Sequence, residues 1–354
     1  MTWPKRSSIR TRNKGLMPDV SVFLPCYNTQ RTLPEALSSI SRQTLEDFEV
    51  VAVDDGSTDR TLDILREWEE KDKRFRVYSR PHRGIIPTAN EGLTLCRAPI
   101  IARMDADDRA HPERLEAQTT YLAAHPDVAA VGSLVEGFSE EGVGKGFQLY
   151  FQWLNRLVSH EDISREIFIE SPLPNPSMTV RKSWLIEAGG YQDHGWPEDY
   201  DLWLRLYLAG AQFAKIPRVL LAWREHENRL THTDSRYSVK NFLRAKAHYL
   251  AKGPAVDRDA VIVWGAGMTG RRLSKHLVRE GLPVVAFVDI DPDKIGSTLR
   301  GKPIIARGEL MDWWERYRHP ILLTAVRARK ARPLIREKLN ALELREGHDW
   351  WAAA

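Results

Sequence analysis

Pro99-Ile100-Ile101-Ala102-Arg103-Met104-Asp105-Ala106-Asp107-Asp108 is the stretch on which the fold turns. A short apolar run ends abruptly in acids, the pattern of a buried strand that stops at a polar edge. Two further apolar runs with abrupt ends lie upstream. Ser21-Val22-Phe23-Leu24 is closed by Pro25, and Phe48-Glu49-Val50-Val51-Ala52-Val53 by Asp54-Asp55-Gly56-Ser57. Phe75-Arg76-Val77-Tyr78 reads as a further strand. Helical spacing is predicted over Pro34 to Ser41 and through Leu62, Ile64, Leu65 and Trp68, the latter capped by Thr58 or Asp59, and again from Ile85 to Cys96. Strand and helix alternating at this spacing predicts an α/β fold with a doubly wound, mostly parallel sheet. Ligands of such sheets sit at the C-terminal ends of the strands, where Asp54, Asp55, Asp105 and Asp107 all fall.

Further along, glycine-rich residues 132–146 read as a strand pair or a loop, and 176–190 as a helix. Trp196-Pro197-Glu198-Asp199 opens a buried helix reaching Leu208, and a helical pattern over 235–252 ends at Gly253-Pro254, a domain boundary. The rhythm then restarts. Ala260 to Trp264 is a predicted strand, Gly265-Ala266-Gly267-Met268-Thr269-Gly270 a turn, Arg271 to Glu280 a helix and Val284 to Val288 a strand followed by Asp289. This is the context of a dinucleotide fingerprint: Gly265, Gly267 and Gly270 at a pyrophosphate, Asp289 at a ribose hydroxyl, and NAD(P) as the ligand. A complete dinucleotide site needs two such halves, and the short remainder of the chain favours an assembly role, with Trp313, Trp314, Trp350 and Trp351 as core or interface residues. The chain divides into a basic tail (1–17), a first domain (18–235), a helical linker (236–256) and a smaller Rossmann-like domain (257–354).

With 354 residues, 42% hydrophobic and 28% charged, the chain is long enough for two globular units. Cys26 and Cys96 make neither a disulfide framework nor a metal spacing, so a reducing, cytoplasmic setting is expected. The sequence lacks the roughly 18-residue apolar run of a spanning helix. Lys5, Arg6, Arg10, Arg12 and Lys14, and again Arg327, Arg329, Lys330, Arg332, Arg336 and Lys338, form basic clusters in a net charge of +4. They read as a solvated tail and a solvated helix face, with anionic lipid as the alternative; nothing supports nucleic acid.

Asp105 and Asp107, two positions apart beyond a strand, are oxygen ligands of the kind that suit Mg²⁺ or Mn²⁺, although such clusters also serve as helix caps or solvated loops. Asp54 or Asp55 is placed to accept hydrogen bonds from a base or ribose, Arg83 to pair with a phosphate, and Gly84 to allow close backbone approach. Glu198-Asp199 at a helix N-terminus is a favourable dipole partner, and equally a general base if an acceptor hydroxyl lies in reach.

Residues 18–235 resemble glycosyltransferase family 2, which has the GT-A nucleotide-sugar fold. The resemblance rests on Val22-Phe23-Leu24-Pro25-Cys26-Tyr27-Asn28, Val53-Asp54-Asp55-Gly56-Ser57-Thr58-Asp59, Gly84 with Ala89-Asn90-Glu91-Gly92, Asp105-Ala106-Asp107-Asp108, and Glu198-Asp199-Tyr200-Asp201-Leu202-Trp203-Leu204-Arg205, in the family's order. It implies donor contacts from Pro25, Tyr27, Asn28, Asp54 or Asp55, Arg83, Gly84, Asn90 and Asp105. It makes Asp107 the main metal ligand beside Asp105, and Asp199 the base. Trp223-Arg224-Glu225-His226 matches an element that closes over the donor diphosphate, giving roles to Arg224 and His226. The implied reaction is Mn²⁺- or Mg²⁺-dependent inverting transfer of a single sugar from a nucleotide-sugar, expected to be a UDP-sugar. The acceptor would be a hydroxyl on a glycan or lipid-linked sugar, in surface glycan or polysaccharide synthesis, with contact to the inner membrane face left open. Cys26 departs from the family's usual small hydroxylated or aliphatic residue. No Q-x-x-R-W follows Asp199, which argues against a processive synthase. A non-catalytic sugar-nucleotide sensor and an oxidoreductase centred on Gly265 to Asp289 are the rivals, and self-association through the C-terminal domain is expected.

Overall fold

The computed structural model describes residues 17–140, 142–328 and 330–354. The basic residues between Lys5 and Lys14, and Arg329, lie outside the described residues. The first sheet is built from β1 (Val20–Cys26), β2 (Phe48–Asp54), β3 (Phe75–Ser79), β4 (Ile100–Arg103), β5 (Arg109–Ala110), β6 (Val128–Phe138), β7 (Thr179–Arg181) and β8 (Gln212–Arg224). Its order is β3-β2-β1-β4-β7-β6-β8-β5. The first four strands pair in parallel, as expected of strands buried on both faces and joined through helices. Every residue of β1 and β2 is buried.

Pro25 does not end β1; the strand continues to Cys26. Phe23 O accepts Met104 N, so by alternation Pro25 also faces the β4 side. There β4 pairs only as far as Arg103 opposite Phe23, and a missing N–H interrupts nothing.

Two expectations need correction. Residues 128–138 form one long strand, β6, paired in parallel with β8, rather than a strand pair. The stretch 176–190 is a three-residue strand, β7, and a short helix, Lys182–Glu187. β7 runs antiparallel to both β4 and β6 and joins the two halves of the sheet. The helix expected in the linker is present and packed against the first unit. This helix, Val239–Lys252, buries Leu243, Ala247 and Leu250, and Tyr249 OH donates to Asp201 Oδ1 at 2.6 Å.

The second sheet contains β9 (Ala260–Trp264), β10 (Val284–Asp289), β11 (Thr298–Leu299), β12 (Lys302–Ala306), β13 (Pro320–Thr324) and β14 (Trp350–Ala352), ordered β11-β12-β10-β9-β13-β14. All pairings but β11 with β12 are parallel. Strand order reverses between β9 and β13, as in doubly wound sheets. Trp350 and Trp351 are buried in β14. The turn before the Met268–Arg279 helix is tight: a Cβ on Gly270 would lie 1.7 Å from Gly265 O. Gly270→Ala is therefore expected to cost about 3 kcal/mol or more of stability, read by chemical denaturation, because backbone rather than a flexible side chain must move. One apolar cluster runs from Leu202 and Leu204 through Tyr249 and Leu250 to Val261 and Leu277, so the two units share a core. Among the described residues no helix is long and apolar enough to cross a membrane.

Candidate active site

Three segments meet at the C-terminal edge of the first sheet. The exit of β4 brings carboxylate oxygens of Asp105, Asp107 and Asp108 within 4.8 Å of one another. A buried arginine holds this exit: Arg114 donates Nη2 to Arg103 O at 2.6 Å. Arg103 in turn pairs with Asp105 at 2.6 Å. Asp108 is fully buried; its Oδ1 accepts Arg224 N at 2.8 Å, while its Oδ2 is buried without a partner among the described residues. Burial raises the Asp105 carboxyl, against the pull of Arg103 and with a push from Asp107. Burial beside Asp107 and Asp105 raises Asp108 well above the ordinary range. The cluster is thus short of positive charge. His226 Nε2 lies 2.8 Å from Asp107 Oδ2. Crowded carboxylates, one orphaned oxygen and an adjacent imidazole fit a divalent cation.

Arg224 faces the same loop, but its bonds are internal. Nε donates to Asp107 O at 2.8 Å, Nη2 bonds Glu35, and the guanidinium lies 4.4 Å from the Phe138 ring centre. It braces the acidic loop beside which a diphosphate contact is expected of it. Glu35 was not legible as a site residue, because its partner lies 189 positions away.

At the exit of β2, Asp54 and Asp55 differ. Asp55 accepts Arg83 N and Arg80 Nη2 on one oxygen, Gly84 N on the other, and has His82 Nδ1 at 2.9 Å. Those four contacts use its lone pairs on the loop. Gly84, at φ 90°, has the left-handed conformation that turns its N–H toward Asp55. Among the described residues Asp54 accepts only Ser57 N at 3.2 Å and Ser79 Oγ at 2.9 Å, which leaves it acceptor capacity. Tyr27, 45% exposed, stacks on His82 with ring centres 4.1 Å apart. Asn28, at φ 51°, donates its N–H to Ser57 Oγ and accepts Thr58 N, tying the β1 and β2 exits together. Arg83 is exposed.

Asn90, expected at the donor, acts as a strut in the fold. Its amide donates to Tyr191 O and accepts Tyr191 N, both at 2.8 Å, across 101 positions. Asn90→Ala is expected to lower stability by about 2 kcal/mol, measured by denaturant unfolding, because two main-chain groups lose partners.

The third segment is the Glu198–Leu208 helix. Glu198 is buried, and Tyr237 OH donates to both its oxygens at 2.8 and 2.9 Å. Asp201 is buried among Trp196 Nε1, Tyr249 OH and Arg205 Nε, each within 2.7 Å. Asp199 differs from both: Oδ1 accepts Tyr200 N at 2.7 Å, and Oδ2 has no partner among the described residues. Burial pushes its carboxyl up to about 7, reinforced by the charges of Glu198 and Asp105. Three acids of one helical turn thus separate into two with both oxygens anchored and one that keeps an oxygen without a partner among the described residues.

In the second unit, Asp289 Oδ2 accepts Ala266 N at 2.8 Å, Oδ1 accepts Ile290 N and Asp291 N, and Lys294 lies 3.6 Å away. The carboxylate clasps the glycine turn of Gly265, Gly267 and Gly270. The basic helix Ala331–Ala341 is not a solvated face throughout: Arg332 and Arg336 turn inward to Glu166.

A model described as Glycosyl transferase family 2 matches residues 21–189, and one described as C2185-like, N-terminal, matches 257–348. An uncharacterized glycosyltransferase of Haemophilus influenzae is 34% identical over 235 residues, 65% of this chain and 71% of that protein. The amylovoran biosynthesis glycosyltransferase AmsE of Erwinia amylovora is 34% identical over 205 residues, 57% of this chain and 74% of its own length. Among solved structures, S. aureus TarS 1–349 in complex with UDP-GlcNAc shares the fold with a TM-score of 0.55 at 21% identity, covering 74% of this chain and 72% of that one. The mannosyltransferase PcManGT of Pyrobaculum calidifontis, in complex with GDP-Man and Mn²⁺, gives 0.50 at 20%, covering 67% and 64%. None of these likenesses supports a nicotinamide cofactor in the second unit.

Proposed function

The chain belongs to glycosyltransferase family 2 and is a glycosyltransferase, and on that premise we propose that it moves a single sugar, with inversion, from a nucleotide diphosphate-sugar to a hydroxyl of a growing polysaccharide. One observation carries this reading: Asp199, alone among the acids of its helical turn, has an unengaged oxygen, and it lies close enough to the acidic loop for Asp105 to raise its pKa. A relative named for amylovoran biosynthesis supports the polysaccharide, and neighbours holding UDP-GlcNAc and GDP-Man with Mn²⁺ support the donor class and the cation. We take the donor to be a UDP-sugar.

Asp107, Asp105 and His226 would hold the divalent cation, which supplies positive charge for the departing diphosphate. Asp54 accepts from the base or ribose, and Tyr27 offers the exposed ring beside it. Asp199 accepts the acceptor's proton as its oxygen attacks the anomeric carbon, and the carbon–phosphate oxygen bond breaks on the opposite face. The carboxylates of Asp55 and the side chains of Arg224 and Asn90 hold the loops in register.

A panel of nucleotide-sugars tested by thermal shift with Mn²⁺ examines the reading. Stabilisation by at least one sugar nucleotide, dependent on the cation, is expected; no response across the panel would contradict it. A base must be ionised, and burial with the charges of Glu198 and Asp105 pushes the Asp199 carboxyl up to about 7 in the cation-free fold. Transfer is therefore expected to fall as pH drops through about 7, read from kcat/KM against pH. An acid limb that persists unchanged in Asp199→Asn would take the base role from Asp199.

A further inference from the structure

Residues 166–171, which begin at the last residue of the short His160–Glu166 helix, are fixed by contacts from four directions. Glu166 is buried, accepts Trp153 Nε1 at 2.9 Å, and pairs with Arg332 at 3.3 Å and with Arg336, both from the second unit. Arg336 is itself held by Glu346 at 3.0 and 3.1 Å. Ile167 O accepts Tyr200 OH at 2.7 Å, and Tyr200 directly follows Asp199. Ile169 O accepts Lys246 Nζ at 2.5 Å, and the same ammonium reaches Ala353 O, beside β14, at 3.3 Å. Ser171 O accepts Tyr150 OH at 3.1 Å.

The segment has no strand ladder of its own; Ile167, Phe168 and Ile169 pack into the core, and these bonds fix its polar groups. Glu166 is buried, and removing its guanidinium partners leaves that carboxylate without the ion pairs that offset its desolvation. The shape of 166–171 therefore depends on the second unit being docked, and its Ile167 carbonyl anchors the phenol next to Asp199. Tyr150 and Trp153, on the Lys145–Leu154 helix, are bound to the same segment. We propose that the second unit is a positioning module for sugar transfer: through Arg332 and Arg336 it fixes Glu166, and through Ile167 and Tyr200 it fixes the orientation of Asp199. Glu166, Arg332, Arg336 and Tyr200 are positioning residues that need touch neither donor nor acceptor. The proposal rests on Asp199 being the base.

The test uses the full chain with Arg332→Met/Arg336→Met. kcat is expected to fall roughly 10- to 100-fold, as small misplacements of a catalytic group do. Donor KM should stay within about twofold, since the acidic loop is not disturbed. Arg332→Lys/Arg336→Lys, which keeps the charge, should recover much of the loss. If the methionine variant does not melt cooperatively, adding Glu166→Gln removes the unpaired buried charge. That triple variant should melt near wild type yet keep the low kcat. Wild-type kcat in the methionine variant, or a triple variant that recovers kcat along with stability, would overturn the proposal. Asp199→Asn measured in parallel separates the two ideas: transfer by that variant overturns the base reading itself. A dead Asp199→Asn beside an unimpaired methionine variant overturns only the positioning role.

Discussion

Asp199→Asn is expected to reduce transfer by about 10³-fold or more while donor binding is retained and the fold becomes more stable above neutral pH. The rate loss follows from removing the proton acceptor. The stability gain follows from the direction of the pKa shift. The folded state favours protonated Asp199, so its ionisation costs nothing below the ordinary value of 3.8 and its full amount only above about 7. Asparagine keeps the oxygen that accepts Tyr200 N and carries no charge. A gain of about 1–3 kcal/mol at pH 8, discounted for solvent access to this partly exposed side chain, should therefore shrink toward zero in acid. A helix cap behaves oppositely, because an aspartate favoured by the helix dipole is worth about 0.3–1 kcal/mol more than its neutral replacement. Urea unfolding at two pH values thus decides between a base and a cap, the two readings the sequence left open for this residue.

Asp107→Ala is expected to weaken cation-dependent donor binding by roughly 100-fold or more, measured by calorimetry with a nucleotide-sugar and Mn²⁺. Asp107 is the acid that meets His226, and its charge raises both Asp105 and Asp108. Without metal the variant should melt at or above the wild-type temperature, because like charges are relieved. With Mn²⁺ the wild type should be stabilised and the variant should not. Equal stabilisation of both proteins would remove Asp107 from the cation site.

The acids were legible because each stands where an apolar strand or a helix boundary ends, and that edge follows from chain pattern alone. Their division of labour was not. Asp54 and Asp55 are adjacent in the sequence, yet one has its lone pairs filled by the 80–84 loop and the other does not. Asn90 and Arg224 carry the right chemistry for ligand contacts but are bound to Tyr191 and to Glu35 with the acidic loop, partners 101 and 189 positions distant. No periodicity encodes such pairings. β7 escaped notice because three residues are too few to show alternation, and β8 because its apolar pattern is interrupted by Lys215, Pro217 and Arg218. Arg103 was visible within the deciding stretch, as the one charge in a strand otherwise apolar, and its pairing with Asp105 shows why it is there. The basic helix misled, since composition cannot tell a solvated arginine from one turned toward a buried glutamate.

The anomeric configuration of the glycoside formed from an α-linked nucleotide-sugar tests the central claim most directly. A single displacement assisted by Asp199 gives a β-linked product, read from the proton coupling at the anomeric carbon by NMR. An α-linked product would require a second displacement or front-face attack and would contradict Asp199 as the base of an inverting transfer.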